Sequence, residues 1–321
     1  MKFAILGPGR IAQKMAEAVC GLEEVELYAI GSTSAERAEN FAKQWNATKW
    51  YGSYEEMLKD DAIDLVYIAT PHSFHYEHAK MCLSHGKNVL VEKPFTVNGE
   101  QARDLIDYAK EKNLFLMEAM WSRCMPSRFI IEELLEKGAI GQLTSVTANL
   151  GYGLLYKERM NDPSLAGGAL LDLGIYPISF ARTYVKKEVA NAISTAVMSP
   201  KGVDWTNSIT LTFENGVMAV LHSNMLAQTD ELGILYGTEG YIEVQDINNC
   251  REIRVFKDGK KTVIPVPEQI NGYEYEVLDC KRAIENGQIE CENMPLSETL
   301  WVIDLMDALR KEWGMIYPFE K

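Results

Sequence analysis

Hydrophobic positions follow two different patterns along this chain. Up to about residue 120, short apolar runs alternate with segments whose apolar residues recur at helical spacing. Beyond that point, most segments alternate apolar and polar residues with a period of two. Uninterrupted apolar runs are typical of parallel strands buried on both faces, whereas alternation is typical of an antiparallel sheet with one covered face. The pattern therefore predicts an α/β domain at 1–120 and an α+β domain at 121–321 with a large, open, mainly antiparallel sheet.

The individual elements follow from these runs and from the residues that flank them. In the first part we expect strands at 2–6, 25–30, 50–52, 64–69, 88–91 and 114–117, and helices at 34–44, 72–84 and 98–110. A capping box at 53–56 predicts a further short helix. In the second part we expect helices at 127–137, 273–286 and 296–313, and strands at 144–150, 192–198, 208–213, 217–224, 233–236, 241–244, 252–256 and 261–265.

The first predicted strand runs directly into a glycine-rich turn. Gly7 and Gly9 are followed by Arg10, Ile11 and the small Ala12, which gives the spacing G-x-G-x-x-A at the start of a helical pattern. In a dinucleotide-binding unit the first glycine permits the tight turn and the second lets the backbone approach a pyrophosphate. The helix N-terminus then offers N–H groups and partial positive charge to the phosphates. The alternative is an ordinary strand-to-helix turn, but the motif and its context favour nucleotide binding, and a Rossmann fold.

Composition narrows the possible partners and the compartment. A net charge of −14 and a pI near 4.9 argue against a nucleic-acid or anionic-membrane surface. The six cysteines form no CxxC pair, so we expect reduced thiols in a cytoplasmic protein. No stretch approaches 18 uninterrupted apolar residues, and the apolar run at the start is too short for a signal peptide.

Two strings place polar side chains where chemistry is expected. A buried strand ends directly in Glu92-Lys93-Pro94, and ligands bind at the carboxyl edge of a parallel sheet. Further on, Asp172 and Tyr176 follow a glycine pair with i,i+4 spacing, which puts both on one helical face. A phenol beside an ammonium group is a workable proton donor, because the cation lowers the phenol pKa. The alternatives are a surface lysine on a connecting loop and a core tyrosine with a satisfied hydroxyl.

With these strings in view, the whole chain resembles the Gfo/Idh/MocA family of NAD(P)-dependent oxidoreductases. The matching motifs are GPGRIA at 7–12, ATPHSFH at 69–75, EKP at 92–94 and GGALLDLGIYP at 167–177. The string FLMEAMWSR at 115–123 and a tyrosine at 176, where other branches carry histidine, resemble the branch of dimeric dihydrodiol dehydrogenases and xylose dehydrogenases.

The resemblance implies roles for particular residues. Lys93 and Tyr176 would handle the proton and Asp172 would orient the substrate, while hydride passes between the substrate carbon and nicotinamide C4. Trp121 and Arg123 would lie along the nicotinamide end. The full set expected at the cofactor is Gly7, Gly9, Arg10, Ile11, Ser32, Thr33, Arg37, Thr70, Pro71, His72, His75, Glu92, Lys93, Pro94, Trp121 and Arg123.

The choice of cofactor depends on the end of the second strand. Rossmann folds that prefer NAD place an acidic residue there for the ribose 2′-OH, and this chain has Gly31-Ser32-Thr33-Ser34 instead. Small hydroxyl groups with Arg37 one turn later suit a 2′-phosphate. Many relatives carry arginine where Thr33 stands, and the absence of that arginine here weakens the preference. NADP is therefore favoured, and NAD stays the alternative.

Three histidines could suggest a metal site, but their spacing does not support one. His72, His75 and His78 follow one another at i,i+3,i+6, which turns the three imidazoles to different sides of a helix. His72 and His75 match the family's loop under the cofactor, with His72 standing where asparagine is usual. We expect His78 and His85 on the helix surface, and no metal.

The sequence thus predicts a cytoplasmic NADP-dependent dehydrogenase that acts on a CH–OH group of a sugar, polyol or cyclic trans-diol. We expect a homodimer, or a dimer of dimers, formed through the open sheet. Two other functions stay open as alternatives. One is a redox-neutral glycosidase or isomerase of the same family, and the other is a non-catalytic NAD(P)-sensing regulator with the same fold. The substrate itself depends on loops such as 152–156 and 160–165, whose shape one sequence does not give.

Overall fold

The computed structural model describes residues 1–320, which divide into two compact units. The first unit comprises Met1–Cys124 together with Gln269–Ile303, and the second comprises Met125–Glu268 together with 304–320. The strands are β1 Lys2–Leu6, β2 Glu26–Gly31, β3 Lys49–Tyr51, β4 Leu65–Ile68, β5 Asn88–Glu92, β6 Leu116–Ala119, β7 Leu143–Gly151, β8 Val189–Met198, β9 Asp204–Phe213, β10 Met218–Asn224, β11 Gly233–Gly237, β12 Gly240–Gln245, β13 Glu252–Lys257 and β14 Lys260–Pro265. The α-helices are α1 Arg10–Cys20, α2 Ala35–Trp45, α3 Tyr54–Leu58, α4 His75–Ser84, α5 Gly99–Lys112, α6 Pro126–Glu136, α7 Ile175–Val185, α8 Glu274–Glu285 and α9 Leu296–Glu312.

The first unit contains a six-stranded parallel sheet in the order β3-β2-β1-β4-β5-β6. Its central strands are buried along almost their whole length, as the continuous apolar runs predicted. This is the doubly wound arrangement in which the strand order reverses next to β1, so the predicted Rossmann fold is confirmed.

Local capping signals in the sequence fix the starts of three helices in this unit. The side chains of Ser34, Ser53 and Asn98 accept hydrogen bonds from the backbone N–H three residues later, at α2, α3 and α5 respectively. Each such bond satisfies one of the N–H groups that a helix start leaves without an intrahelical partner. The predicted capping box at 53–56 is therefore confirmed as an N-cap.

The segment Gln269–Ile303 belongs to the first unit, whereas the sequence placed it in the second domain. The Glu274 carboxylate accepts the N–H groups of Ile270 and Gly272, each at 2.7 Å, and so closes the turn before α8. The Asn271 amide donates to Lys14 O in α1 at 2.9 Å. The Leu116 N–H donates to Ile289 O at 3.0 Å, beside the edge strand β6. Amphipathic spacing predicted the helix correctly but could not say which surface it would cover.

The second unit is built on an eight-stranded sheet in the order β14-β13-β12-β11-β7-β10-β9-β8. All neighbouring strands are antiparallel except β7 and β10, which run parallel, so the predicted mainly antiparallel sheet is confirmed. Strands β8 and β9 begin at Val189 and Asp204, earlier than the expected 192 and 208. The helix α7 lies against β7 and β10 and covers one face of the sheet.

One stretch of the second unit is apolar and long enough to resemble a membrane span. Residues Pro163–Val185 pass that test by length and composition, yet 89% of the tested window is buried inside the protein. Among the described residues no other helix passes it. Burial of this kind is typical of a core helix in a soluble protein.

Candidate active site

The loops at the carboxyl edge of the parallel sheet hold most of the residues expected at the cofactor. They follow β1, β2, β4, β5 and β6 in turn. These loop and helix-start residues are Gly7, Gly9, Arg10, Ile11, Ser32, Thr33, Thr70, Pro71, His72, Lys93, Pro94, Trp121 and Arg123. Parallel strands meet at one edge, and the first unit therefore gathers residues that lie up to about 115 positions apart in sequence.

The turn after β1 fits a dinucleotide. Gly7 has φ +93°, a conformation that favours glycine, and its N–H donates to Gly31 O at 3.0 Å. A Cβ at Gly7 would lie 2.8 Å from a methyl group of Thr70, so no larger residue fits without a shift. The start of α1 has no side-chain cap and no acidic residue in its first turn. Its N–H groups and dipole are therefore available to a pyrophosphate, as the motif predicts.

The end of β2 presents hydroxyl groups and one cation. The Arg37 guanidinium donates to Thr33 Oγ1 at 3.2 Å, and both residues are exposed. Ser32 is buried, and its Oγ accepts the Ser34 N–H at 3.2 Å. Ser34 in turn caps α2 by accepting the Arg37 N–H. This places a guanidinium and a hydroxyl side by side at the start of a helix, a set of donors that suits a phosphate group.

His75 joins two of the loops. Its Nδ1 lies 2.7 Å from Pro94 O and its Nε2 lies 2.9 Å from Thr70 O. Burial, with a smaller contribution from neighbouring His72, lowers the pKa of His75 to about 3, against the opposing effect of the two carbonyls. The neutral ring has one N–H, so it donates to one of these carbonyls at a time. His75 thus holds the loop after β4 against the loop after β5.

The histidine cluster differs in one respect from the expectation. His72 is buried, with its ring centroid 5.7 Å from that of His75. His85 is exposed, as expected, but His78 is half-buried between Tyr54 and Phe74, with Nδ1 3.0 Å from Thr70 Oγ1. The prediction that His78 lies on the helix surface is therefore wrong, because Tyr54, distant in sequence, and Phe74, one helical turn earlier, partly cover the ring. Among the described residues, no group of three or more histidines, cysteines or acids is arranged to hold a metal ion.

Buried carboxyl groups lie around the end of β5, directly before Lys93. The Tyr67 hydroxyl donates to Glu92 Oε1, and Glu92 Oε2 accepts the Lys93 N–H at 3.1 Å. Glu118 Oε1 accepts the Phe95 N–H at 3.0 Å, and burial raises the pKa of Glu118 to about 7. These bonds fix the backbone on both sides of Lys93-Pro94. Sequence reasoning identified Glu92 but not Tyr67, which reads as an ordinary strand residue.

Glu276 in α8 adds a further carboxyl group to this region. It is completely buried, and neither of its carboxylate oxygens has a hydrogen-bond partner among residues 1–320. Burial, with smaller contributions from Glu92 and Asp279, raises the pKa of Glu276 well above its ordinary value. No signal in the sequence distinguishes it from the other acids of an amphipathic helix.

Trp121 and Arg123 lie in the 3₁₀ turn after β6 and are buried in the first unit. The Trp121 ring stacks on Tyr273, with centroids 4.3 Å apart and planes 9° apart. The Arg123 guanidinium forms an ion pair with Glu298 at 3.2 Å and donates through Nε to Asn293 O. Both residues thus connect the loop at the sheet edge to the segment Gln269–Ile303, a structural link that the sequence did not indicate.

In the second unit, Asp172 and Tyr176 lie on consecutive turns of one helical segment. Asp172 falls in a π-helical turn, Leu170–Gly174, which continues directly into α7 with Tyr176 in its first turn. Each is 7% exposed. Arg159 Nη2 lies 3.2 Å from Asp172 Oδ2 and 3.4 Å from Oδ1. The π turn, a feature common at functional sites, and the Arg159 partner were both missed from sequence.

The loop between β7 and the π turn is partly exposed. Tyr156 is 73% exposed, and the Asn161 side chain accepts a hydrogen bond from Trp205 Nε1 at 2.7 Å. Tyr152 donates to Glu231 Oε2 at 3.2 Å. These contacts hold the loop at Tyr152 and Asn161 and leave Tyr156, which lies between them, exposed. Such a loop is suited to contact a small molecule.

Comparison with known protein families identifies the family to which the chain belongs. The model of the Gfo/Idh/MocA oxidoreductase family, with an NAD-binding Rossmann fold, matches residues 1–120. The model of the Gfo/Idh/MocA C-terminal domain matches residues 130–243. The two matches cover more than half of the chain, and the chain belongs to this family of oxidoreductases. The family assignment made from the motifs is confirmed.

Individual relatives agree with the branch suggested by the sequence. A trans-1,2-dihydrobenzene-1,2-diol dehydrogenase from Xenopus laevis is 34% identical over 328 residues, covering 99% of each chain. A D-xylose 1-dehydrogenase (NADP(+)) from Hypocrea jecorina is 31% identical, covering 99% of this chain and 93% of the relative. A 3-ketoreductase from Actinomadura kijaniata, solved with NADP and TDP-benzene, superposes with a TM-score of 0.87 at 24% identity and covers 97% of each chain. At that identity the superposition shows the fold alone.

Proposed function

We propose that this protein is an NADP-dependent dehydrogenase that oxidises a CH–OH group of a sugar, polyol or cyclic trans-diol, or reduces the corresponding carbonyl. The observation that carries the proposal is the carboxyl edge of the parallel sheet, where the Gly7 turn and the uncapped start of α1 lie in the same set of loops as Lys93. The names of the Xenopus and Hypocrea relatives support the substrate classes.

The residues of this chain would divide the chemistry between proton transfer and orientation. A bound nicotinamide supplies the hydride acceptor, or donor, at its C4 position. Tyr176 takes the hydroxyl proton of the substrate during oxidation and returns it during reduction, and Lys93 assists because an ammonium group favours the phenolate. Asp172, held by Arg159, orients the substrate hydroxyl. Glu92, His75 and Pro94 keep the backbone around Lys93 in place.

The preference for NADP rests on the end of β2. Thr33 and Arg37 are hydrogen-bonded to one another and exposed, and no acidic residue stands between Gly31 and Ser34. A ribose 2′-phosphate would meet a guanidinium and a hydroxyl there, whereas a 2′-OH would lack its carboxylate acceptor. The remaining cofactor contacts would come from Gly9, Arg10 and Ile11 at the start of α1. Thr70, Pro71, His72, Trp121 and Arg123 would contribute at the other loops.

A homodimer would cover the outer face of the eight-stranded sheet. One row of this face runs across paired strands through Ile193, Thr210, Val220, Thr147 and Ile234. Ile193 is 65% exposed and Val220 is 44% exposed. An exposed row of β-branched residues that α7 does not cover fits a second copy of the same face, related by a twofold axis.

We place the enzyme in the cytoplasm. All six cysteines are free thiols, and five of them are buried. An acidic chain without disulfides fits a reducing compartment that holds nicotinamide cofactors.

The test is reduced-nicotinamide absorbance with NADP and then NAD, over a panel of aldoses, polyols and cyclic diols. Wild type runs beside Lys93→Met and Tyr176→Phe. We expect turnover with one substrate class, lowered roughly 10²- to 10⁴-fold in both variants while cofactor binding persists. Tight cofactor binding without turnover on any substrate would overturn the dehydrogenase and favour the sensor or the redox-neutral enzyme.

A further inference from the structure

The helical segment that carries Asp172 and Tyr176 begins without a cap of its own. Its first residues, around Ala169 and Leu170, receive no hydrogen bond from a side chain at the N-cap position. A helix start leaves several backbone N–H groups without intrahelical partners, and burial makes such groups costly. The start of this segment is buried, so those groups need an acceptor from elsewhere in the second unit.

Asp204, the first residue of β9, supplies that acceptor. Its Oδ2 accepts the Leu170 N–H at 2.9 Å and the Asn207 side-chain amide at 2.8 Å. The residue is completely buried. A carboxylate at a helix start also interacts favourably with the partial positive charge of the helix dipole. Asp204 therefore caps, from 34 residues away, the segment on which the proposed proton-transfer residue stands.

The glycine pair before the helix makes room for this carboxylate. Gly168 has φ +121°, and a Cβ there would lie 2.5 Å from Asp204 Oδ1. A Cβ at Gly167 would lie 2.6 Å from Arg159 O. The Tyr317 hydroxyl donates to Gly167 O at 2.8 Å and holds the turn from its other side. The G-G string thus serves to bring a buried carboxylate close to the backbone of the helix start.

The state of this carboxyl group changes within the working pH range. Burial raises the pKa of Asp204 to about 6, against the opposing hydrogen bonds from Asn207 and the Leu170 N–H. Above that pH the group is ionised and attracts the helix start as a full charge. Below it the group is neutral, and hydrogen bonds to a neutral acceptor are roughly half as strong.

We propose that Asp204 is a positioning residue, whose ionised carboxylate holds the first turn of the segment and so sets the position of Asp172 and Tyr176. The proposal rests on the proposed function, in which Tyr176 exchanges the substrate proton. Asp204 is completely buried and has no proposed contact with substrate or cofactor. It acts through the backbone of Leu170.

Other titratable groups lie near this carboxyl group, and the test must distinguish their effects on activity from those of Asp204. Tyr317 faces Asp204 from the C-terminal segment, with the Arg310 guanidinium 4.8 Å from its ring centroid. Burial raises the pKa of Tyr317 well above its ordinary range, so it stays neutral. Asp172 and Arg159 are paired further along the helical segment. The His222 imidazole lies on the neighbouring strand, with Nδ1 2.8 Å from Asn207 O.

The substitution Asp204→Asn removes the charge while the hydrogen bonds can be kept. Its amide oxygen can still accept the Leu170 N–H. Asn207 Oδ1 has no partner in the described part of the chain, so that side chain can turn to accept the new amide. The raised pKa of Asp204 means that ionisation costs folding stability as pH rises from 3.8 to about 6 and not beyond. The variant is free of that cost, so at about pH 8 we expect an equal or higher melting temperature.

The activity test compares wild type, Asp204→Asn and the control His222→Gln from about pH 5 to pH 9. We expect the wild-type kcat to fall on the acid side with an apparent pKa near 6. In Asp204→Asn we expect kcat at about pH 8 lowered on the order of tenfold, with KM little changed and the acid limb gone. A lower kcat beside an undiminished melting temperature separates positioning from a merely structural role. If the limb persists in Asp204→Asn, or disappears in His222→Gln, the proposal fails.

Hydrogen exchange of peptides covering 167–178 supplies a readout that needs no substrate. We expect the wild-type segment to lose part of its protection between about pH 8 and pH 5, after correction for intrinsic rates, and Asp204→Asn to show the lower protection at both pH values. An inactive wild type with this exchange pattern would contradict the proposed function but would still support the helix cap by Asp204. An active wild type whose exchange in this segment is independent of pH and of Asp204 would overturn the cap.

Discussion

Buried carboxyl groups in this protein differ by whether a donor reaches them. Asp204, Glu118 and Glu274 each accept backbone N–H groups at the start of a turn or helix. Glu276 is equally buried, yet neither of its oxygens accepts a hydrogen bond from the part of the chain that the structure describes. A buried carboxyl group that accepts hydrogen bonds fixes the backbone around it. One that accepts none has the same desolvation cost but no hydrogen bond to offset it. The two kinds should respond in opposite directions to an apolar replacement of similar size.

Glu276→Met should stabilise the first unit by about 1–3 kcal/mol, because it removes unpartnered polar atoms from the core. The gain should grow with pH, since the raised pKa of Glu276 means that wild type loses stability as the pH rises above the ordinary value of 4.5. Urea denaturation followed by tryptophan fluorescence, at about pH 6 and about pH 9, measures the shift in midpoint.

Glu118→Met is the matched control. It leaves the buried Phe95 N–H without its acceptor and should destabilise by a similar amount. If both variants shift the midpoint in the same direction, hydrogen bonding does not distinguish the two glutamates.

At the scale of elements, the sequence predicted what is encoded locally. Ser34, Ser53 and Asn98 predict helix starts, and the apolar runs before Gly7 and Lys93 predict buried strands. These features can be predicted because each depends only on neighbours within a few residues. The positions of the glycine turn, of Lys93 and of Tyr176 on their elements could be predicted for the same reason. The π turn at Leu170–Gly174, the Arg159–Asp172 pair and the cap from Asp204 could not. They depend on contacts between segments whose approach no local pattern specifies.

The junction of β2 and α2 carries a prediction about cofactor choice. Arg37→Ala should raise the KM for NADP roughly tenfold to a hundredfold, which is what one charge-assisted hydrogen bond supplies, and should leave the KM for NAD nearly unchanged. Steady-state kinetics with each cofactor measures the two values. Lys43→Ala is the control, since Lys43 lies on the same helix and forms an exposed ion pair with Glu39. Equal losses with both cofactors would contradict a 2′-phosphate contact at Arg37.

At the scale of the whole molecule, each unit is built from two segments that lie far apart in the sequence. Residues 269–303 close the first unit through Asn271, Glu274 and the Tyr273–Trp121 stack, and 304–320 return to the second. The helix α9 spans the boundary between these two segments. A boundary drawn after residue 120 follows the change of hydrophobic period, but the chain crosses between the units again. Hydrophobic periodicity predicts which elements form, but it does not predict which unit a later segment joins.

The outer face of the eight-stranded sheet allows a direct test of assembly. Val220 stands in the row that crosses β10, paired with Thr147 on one side and Thr210 on the other. Val220→Lys leaves the fold intact because the side chain is 44% exposed, but in a dimer it would bury a charge without a partner. Light scattering after size exclusion should give twice 36.2 kDa for wild type and one chain mass for the variant.

The direction of the charge change makes this test specific. Each chain carries a net charge of −14, so an added lysine reduces the repulsion between copies, and dissociation can arise only from the altered face. Phe129→Lys is the control, because Phe129 is 40% exposed on α6 and lies outside the sheet. A dimer that survives Val220→Lys, or dissociates in Phe129→Lys, would place the interface elsewhere. A wild type that runs as one chain mass at micromolar concentration would remove the dimer altogether.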